Sequence, residues 1–240
     1  MLTMANRLHF PDAASEQAWQ FYVETEKQGS KKQRATALER FIEAICMAGR
    51  AARAEFVESY CRLYLDGIAP PPVGMRNGQA MRFPLFRRVF ADVLESGRRS
   101  RKPGHARWCA QLHFLSVTGS CGTALDWPPR DILLSEALAI DPQDERARRL
   151  AVSATIADLR YGCHELPWGL AVEPSVMARD VDDLEKLLAG TSWAESSGGA
   201  IAALRRIIAG DRSDAAREAV ASIFAVGWEI DSEFLREEGW

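Results

Sequence analysis

The sequence predicts an all-α protein, and three observations lead to this prediction. Apolar residues recur every three or four positions along nearly the whole chain, which is the pattern of helices with one buried face. No segment shows the apolar–polar alternation of a half-buried strand. Apolar residues make up 47% and charged residues 26% of the 240 residues, which are ordinary globular values. We therefore expect an irregular array of about ten amphipathic helices, stacked in pairs within one domain.

The first four helices are predicted from apolar stripes and capping residues. Ser30 and Gln33 have the spacing of a capping box, so a helix is expected to begin at residue 31. The clearest stripe repeats apolar pairs every four residues, which indicates one broad buried face. It comprises Leu85, Phe86, Val89, Phe90, Val93 and Leu94. The four helices are expected near 12–28, 31–49, 51–66 and 84–96.

Six further helices follow from the same periodicity. Asp141 precedes Pro142, a residue favoured in the first helical turn, so the Asp141 carboxylate is a predicted N-cap. Gly97 and Gly190 each follow a helical stretch and are predicted to be the left-handed residues that end their helices. These six helices are expected near 104–117, 129–140, 142–163, 175–189, 197–209 and 213–237.

The segment 69–78 interrupts the helical pattern. It begins with three consecutive prolines after Ala69, and consecutive prolines cannot lie inside a helix. We interpret it as an extended crossover inside a single helical domain of residues 1–240. The alternative is a linker that divides the chain into residues 1–68 and 84–240.

Residues 135–148 contain a recognisable junction between two helices. The segment reads SEALAIDPQDERAR: a helix ends in Ala-Leu and an apolar residue, Asp-Pro follows, and a second helix begins. It resembles the junction between two tetratricopeptide repeats, although the other signature residues of that family do not recur at a period of roughly 34 residues. The resemblance implies stacked helix pairs that present a surface to a partner, and it implies no catalytic residues. Any two helices joined by a capped Asp-Pro turn would give the same pattern.

Charge is distributed unevenly along the chain. Residues 76–107 contain nine basic and two acidic residues, whereas residues 173–240 contain 14 acidic and seven basic residues. The basic run Arg98–Lys102 predicts either a phosphate or nucleic-acid contact or, as the favoured interpretation, a solvated loop neutralised by the acidic C-terminal half. Nucleic acid is a disfavoured partner, because the whole chain has a net charge of −3 and nucleic-acid binders are normally basic.

The sequence predicts neither a membrane span nor a secretory signal. Its apolar runs are far shorter than the roughly 20 residues that a spanning helix needs. The five cysteines are odd in number and form no C-x-x-C pair, so we expect free thiols and a cytoplasmic localisation. They are Cys46, Cys61, Cys109, Cys121 and Cys163.

The candidate metal-binding patterns fail on geometry. His105, Cys109 and His113 are spaced four residues apart on one predicted helix. Each turn rises about 5.4 Å, so the two histidines lie too far apart to share a zinc ion. His164 and Glu165 begin like the metalloprotease motif H-E-x-x-H, but Trp168 occupies the position of the second histidine. We therefore expect no metal site.

No cofactor or catalytic motif is recognised either. The chain lacks the glycine-rich loops that bind nucleotide phosphates, so no cofactor is expected. The segment Gly119–Thr123 resembles a nucleophile turn only loosely, because no strand precedes it. An enzyme with dispersed residues stays open as an alternative, in which Cys121 or Cys163 would act with a histidine.

Two segments are candidates for partner binding. Tyr161–Gly169 contains His164, Glu165 and Trp168 and is interpreted in two ways. It is either a helix end shaped for recognition or a buried turn, with Trp168 in the core and His164 bonded to a backbone carbonyl. The second candidate is an acidic group on the helix near 175–189, where 100° per residue forces part of the group outward. This group comprises Asp180, Asp182, Asp183 and Glu185.

The sequence as a whole predicts a non-enzymatic, protein-binding helical protein. Within that class we favour a bacterial partner that neutralises a toxin, an immunity-type protein, because exposed acids complement a basic surface and speed association. The alternatives are an adaptor whose stacked helix pairs bind a peptide, and the enzyme with dispersed cysteine and histidine residues. No prediction is made of the oligomeric state.

Overall fold

The computed structural model describes residues 7–69, 81–117, 127–166, 168–211, 213–215, 217–218, 220–221 and 224–225. Within these residues the chain forms helices and connecting turns and no strand, which confirms the predicted all-α class. The described residues fall into two compact units: unit 1 extends to Pro142, and unit 2 begins at Gln143. The single domain and its alternative division stay predictions, and residues 70–78 of the proline-rich segment lie outside the described residues.

Unit 1 is built from eight α-helical segments and two π-helical turns in its described residues. The α-helical segments are α1 (Ala13–Gln28), α2 (Lys31–Met47), α3 (Arg50–Tyr60), α4 (Phe83–Leu85), α5 (Ala91–Arg99), α6 (His105–Gln111), α7 (His113–Val117) and α8 (Arg130–Ile140). A π-helical turn at Cys61–Leu65 extends α3, and another at Phe86–Phe90 joins α4 to α5. Helix α1 packs on α2, α5 packs on α6, and α6 packs on α8.

Aromatic side chains fill the core of unit 1. The Phe90 ring lies 5.0 Å from the Tyr60 ring and 6.1 Å from the Phe56 ring, both in edge-to-face orientation. Trp19 and Phe41 continue the cluster with ring centroids 4.9 Å apart. The predicted apolar stripe is confirmed, since all six of its residues are buried: Leu85, Phe86, Val89, Phe90, Val93 and Leu94.

The helix ends confirm one predicted cap and correct another. The Ser30–Gln33 capping box is present, with the Ser30 N–H donating to Gln33 Oε1 over 2.8 Å. The predicted cap at Asp141 is wrong, because this residue ends α8 in an extended conformation. A short turn follows, and the Asp144 carboxylate accepts the N–H of Ala147 over 3.0 Å to begin the next helix.

Gly97 and Gly190 have different roles although both follow apolar stripes. Gly190 has the predicted positive φ of 77°. Gly97 does not end its helix, since α5 continues to Arg99. It provides room for a neighbouring ring, because a Cβ at Gly97 would lie 1.8 Å from His105 Cδ2. The helix predicted at 104–117 also differs, because it divides into α6 and α7 at Leu112.

Six basic residues within 81–107 form ion pairs inside unit 1. Their acidic partners lie on α1, α2, α3, α5 and α8 and in the turn after α3. Arg101 has a φ of 53° and is exposed. The ion pairs are Arg82–Glu26, Arg88–Glu39, Arg98–Glu95, Arg98–Glu136, Arg99–Glu95, Lys102–Glu58 and Arg107–Asp66.

Unit 2 contains three long helices: α9 (Glu145–Gly162), α10 (Pro174–Leu188) and α11 (Trp193–Ile208). Helix α10 packs on both neighbours. Their shared core is aliphatic and includes Ile156, Leu159, Met177, Val181, Leu184, Leu188, Leu204 and Ile207. No helix among the described residues of the chain is long and apolar enough to cross a membrane.

The segment that resembles a tetratricopeptide junction lies where the chain passes between the units. Helix α8 ends at Ile140 and α9 begins at Glu145, both inside residues 135–148. Because α8 belongs to unit 1 and α9 to unit 2, the two helices lie in different compact units. Kinship to the repeat family stays a prediction.

Candidate partner-binding site

The turn that follows α9 is fixed to unit 2 by its inner residues. Gly162 is buried, and a Cβ there would lie 2.9 Å from Met177 Sδ and 3.1 Å from Val172 Cγ2. The Gly162 carbonyl accepts the N–H of Ala171 over 2.9 Å, which closes the turn. Cys163 is also buried. The backbone of the turn is therefore anchored before its outward side chains are placed.

The aromatic side chains of this turn face outward. Tyr161 is 62% exposed and Trp168 is 88% exposed. The interpretation of a buried turn with Trp168 in the core is therefore wrong, because Gly162 and Cys163 occupy the inner positions. The backbone N–H of Trp168 donates to the backbone carbonyl of Glu165 over 2.9 Å, so the exposed side chain extends from a hydrogen-bonded backbone. Pro167 lies outside the described residues.

His164 links the polar part of the turn. Its Nδ1 lies 2.6 Å from the Tyr161 carbonyl, a contact that only the buried-turn interpretation of this segment had included. Its Nε2 lies 2.7 Å from Glu165 Oε1. The imidazole ring stacks on the Tyr161 ring at 5.0 Å. Both ring nitrogens therefore lie within hydrogen-bonding distance of an oxygen atom. We call Tyr161, His164, Glu165 and Trp168 together the aromatic turn.

The acidic group of α10 lies on the surface of unit 2. Asp182, Asp183 and Glu185 are exposed and Asp180 is half-buried, which confirms that part of the group faces outward. Cations of α10 and α11 neutralise some of this charge through exposed ion pairs. Such pairs contribute about 0–1 kcal/mol each, so a partner can replace them. They are Asp182–Arg205, Glu185–Arg205, Asp183–Lys186 and Asp180–Arg179.

Two of the residues considered for metal binding, His105 and Cys109, are buried inside unit 1. Burial raises the pKa of the Cys61 and Cys109 thiols, which keeps them protonated and weakly nucleophilic. The described residues hold no group of three His, Cys, Asp or Glu side chains suited to a metal ion. Cys121 lies outside the described residues.

One feature was missed by the sequence reasoning. A cavity of about 330 Å³ lies between the start of α9 and the loop before α11. Its signals were the adjacent pair Arg148–Arg149 and the Gly-Thr-Ser run that precedes α11. They are more than 40 positions apart, so only folding reveals that they meet. The lining includes Glu145, Arg148, Arg149, Thr191, Ser192 and Trp193.

Comparisons of this chain with protein families, with curated proteins and with solved structures found no match. The aromatic turn and the acidic group are therefore the features of the chain from which we infer its function.

Proposed function

We propose that this chain is a non-enzymatic protein-binding module that docks on a basic partner through the aromatic turn, in the manner of an immunity-type protein. The observation that carries the proposal is the 88% exposure of Trp168. Tryptophan and tyrosine are the residues most enriched in binding hot spots. A docked tryptophan removes about 150–250 Å² from water, so an exposed one on an ordered turn favours a partner.

The anchored backbone supports the same function. Binding costs free energy for every segment that must become ordered. Gly162 and Cys163 already hold the turn against α10, and stacking on His164 restrains Tyr161. The turn is therefore organised before a partner arrives, which lowers the cost of docking.

The acidic group supports a partner of opposite charge. Acids at the surface of unit 2 attract a basic protein during diffusion and raise its association rate. Glu165 extends this charge into the aromatic turn itself. A toxin with a basic substrate cleft would present such a surface. The proposal is that this chain binds and neutralises the toxin in the cytoplasm of the cell that produces it.

The partner to test is the product of the reading frame adjacent to the gene of this chain. Both proteins are purified, and the dissociation constant is measured by calorimetry. Trp168→Ala should weaken binding about 30-fold, the loss of roughly 2 kcal/mol that defines a hot spot. Phe21→Ala is the matched control, since Phe21 is an aromatic residue of unit 1 that is 52% exposed.

Four results would contradict the proposal. A neighbouring product that shows no binding removes the neutralising role, and a chain that instead binds several unrelated peptides is an adaptor. An unchanged dissociation constant for Trp168→Ala removes the aromatic turn from the interface. Equal losses of affinity for Trp168→Ala and Phe21→Ala would indicate non-specific hydrophobic association.

A further inference from the structure

Exposed cations gather in unit 1 at the end of α5, in the turn that follows it and on the π-helical extension of α3. Arg99 pairs with Glu95, and its side chain is 73% exposed whereas that of Glu95 is 17% exposed. Lys102 pairs with Glu58 in the same way, with 55% of the lysine side chain and 23% of the glutamate side chain exposed. The cations are therefore the outer members of these ion pairs. We call the exposed residues Arg62, Arg99, Arg101 and Lys102 together the cationic surface.

The two inner carboxylates join the chain segments of the cationic surface. Glu58 Oε1 lies 3.1 Å from Lys102 Nζ, and Glu58 Oε2 lies 3.8 Å from a guanidinium nitrogen of Arg62. Glu95 Oε1 accepts the Nε–H of Arg99 over 2.6 Å. Residues from α3 and α5, distant in sequence, are thus held next to each other with their positive groups outward.

The backbone at Arg101 makes arginine an unfavourable residue for the fold itself. Its φ is 53°, in the left-handed region. The Lys102 N–H donates to the Gly97 carbonyl over 3.0 Å, and the Arg101 N–H donates to the Arg98 carbonyl over 2.9 Å. This pair of bonds is the common helix end in which glycine takes the left-handed position without strain. A side chain that costs stability and is exposed indicates a contact outside the fold.

We propose that the cationic surface binds the phosphate backbone of a nucleic-acid duplex. Cations bind phosphates without an apolar anchor, whereas protein interfaces depend on buried aromatic or aliphatic anchors, and single strands bind by stacking on aromatic rings. Among the described residues of unit 1, no large exposed apolar side chain lies on α5 or in the turn that follows it. Those that are exposed lie elsewhere in the unit: Phe21, Met47, Ile68 and Ile132.

The local charge governs this contact more than the net charge of −3 of the whole chain. At physiological ionic strength, charges separated by more than about 8–10 Å are largely screened from each other. The cationic surface and its paired carboxylates Glu58 and Glu95 comprise four cations and two acids. The adjoining pair of Arg98 and Glu136 adds one charge of each sign. An excess of positive charge therefore remains at the surface.

This inference goes beyond the proposed function. The cationic surface belongs to unit 1, whereas the aromatic turn belongs to unit 2. Duplex binding is measured on the chain alone, without a protein partner. Either proposal can therefore fail while the other holds.

The test titrates a fluorescently labelled DNA duplex of random sequence with the full chain and follows anisotropy over a series of salt concentrations. We expect a dissociation constant on the order of 10–100 μM at physiological salt. The logarithm of the binding constant should fall against the logarithm of the salt concentration with a slope of about −3 to −4, the value for four phosphate contacts. An RNA duplex of the same sequence is titrated in parallel, and tighter binding by one duplex identifies the nucleic acid.

Two double variants locate the contact. Arg99→Gln combined with Arg101→Gly should weaken duplex binding about tenfold and make the salt slope shallower by about 2. Lys31→Gln combined with Arg40→Gln removes two exposed cations of α2 and is the control with the same net charge, which should weaken binding less than about twofold. Arg101→Gly alone should not lower the midpoint of thermal unfolding, because glycine takes a positive φ without strain.

Several outcomes overturn the proposal. Absence of saturable duplex binding does so directly, and so does an unchanged salt slope for the Arg99 and Arg101 double variant. Equal weakening by the two double variants would reduce the effect to the net charge of the chain. Tighter binding of a DNA single strand, of polyglutamate or of vesicles containing phosphatidylserine would assign the surface to a different class of anion.

Discussion

The aromatic cluster in the core of unit 1 and the aromatic turn of unit 2 lie in opposite environments. In unit 1 the rings of Trp19, Phe56, Tyr60 and Phe90 are buried against one another. In unit 2 the shared core of α9, α10 and α11 is aliphatic, and Trp168 is exposed. Aromatic rings contribute most when they are buried or when they dock on a partner. The buried rings stabilise unit 1, and under the proposed function the exposed Trp168 of unit 2 is available for recognition.

The Arg107–Asp66 pair of unit 1 and the ion pairs of α10 in unit 2 differ in their exposure. In unit 1, Arg107 pairs with Asp66, which also accepts the indole N–H of Trp108 over 2.8 Å, so the interaction joins segments distant in sequence. In unit 2 the acids of α10 form exposed pairs with Arg205 and Lys186. Exposed pairs add little stability, and their groups remain accessible to a partner.

The largest predicted effect tests the aromatic core of unit 1. Phe90 is fully buried and contacts the rings of Phe56 and Tyr60. Phe90→Ala should lower the free energy of unfolding of unit 1 by about 3–5 kcal/mol, because a cavity replaces the ring. Chemical denaturation measures the loss, with Trp168→Ala as the control that should change stability by less than about 0.5 kcal/mol. A loss below about 1 kcal/mol for Phe90→Ala would show that the core tolerates the change. The buried rings would then not be what stabilises unit 1.

The sequence predicted the fold where local periodicity decides it. The stripe containing Phe86 and Phe90 and the outward acids of α10 both follow from 100° per residue. The exposure of Trp168 could not be predicted from periodicity, because it depends on the packing of Gly162 against Met177 and Val172 across the turn. Gly97 was wrongly predicted to end its helix. It accommodates His105 of the next helix, and no local sequence pattern shows such a contact between helices.

A smaller effect concerns His105. Its buried ring nitrogen Nε2 has no hydrogen-bond partner among the described residues and lies 3.6 Å from Glu58 Oε1. Burial lowers the pKa of His105 below its ordinary value of 6.5, outweighing the opposing effects of the Pro103 carbonyl and of Glu58. As pH falls, the unfolded chain therefore binds the proton first. The stability from the neutral ring is fully present above about pH 6.5 and is lost as pH falls through the lower folded pKa.

The measurement compares urea denaturation at pH 7.5 and pH 5.5. Wild-type unit 1 should lose more stability over this interval than His105→Gln, whose side chain does not titrate. His164→Gln, in the exposed turn of unit 2, should leave the pH dependence of unit 1 as it is in the wild type. If His105→Gln retained the full pH dependence, the buried ring would not be its source.

The smallest stability effect is expected for the acidic group, where the effect on binding should be large. Replacing Asp182, Asp183 and Glu185 together by lysine breaks only exposed pairs, so the free energy of unfolding should change by less than about 1 kcal/mol. If these acids steer a basic partner, the triple variant should associate more slowly, and its association rate should depend less steeply on salt.

The matched control reverses three exposed acids of unit 1, Glu16, Glu24 and Glu39, which gives the chain the same net charge. Stopped-flow association with the partner at low and high salt separates the two possibilities. A slower rate for the α10 variant alone places the steering field on unit 2, next to a recognition surface. Equal slowing by both variants would mean that the partner responds to the net charge of the whole chain. The difference between the units would then lie in their aromatic residues and not in their charges.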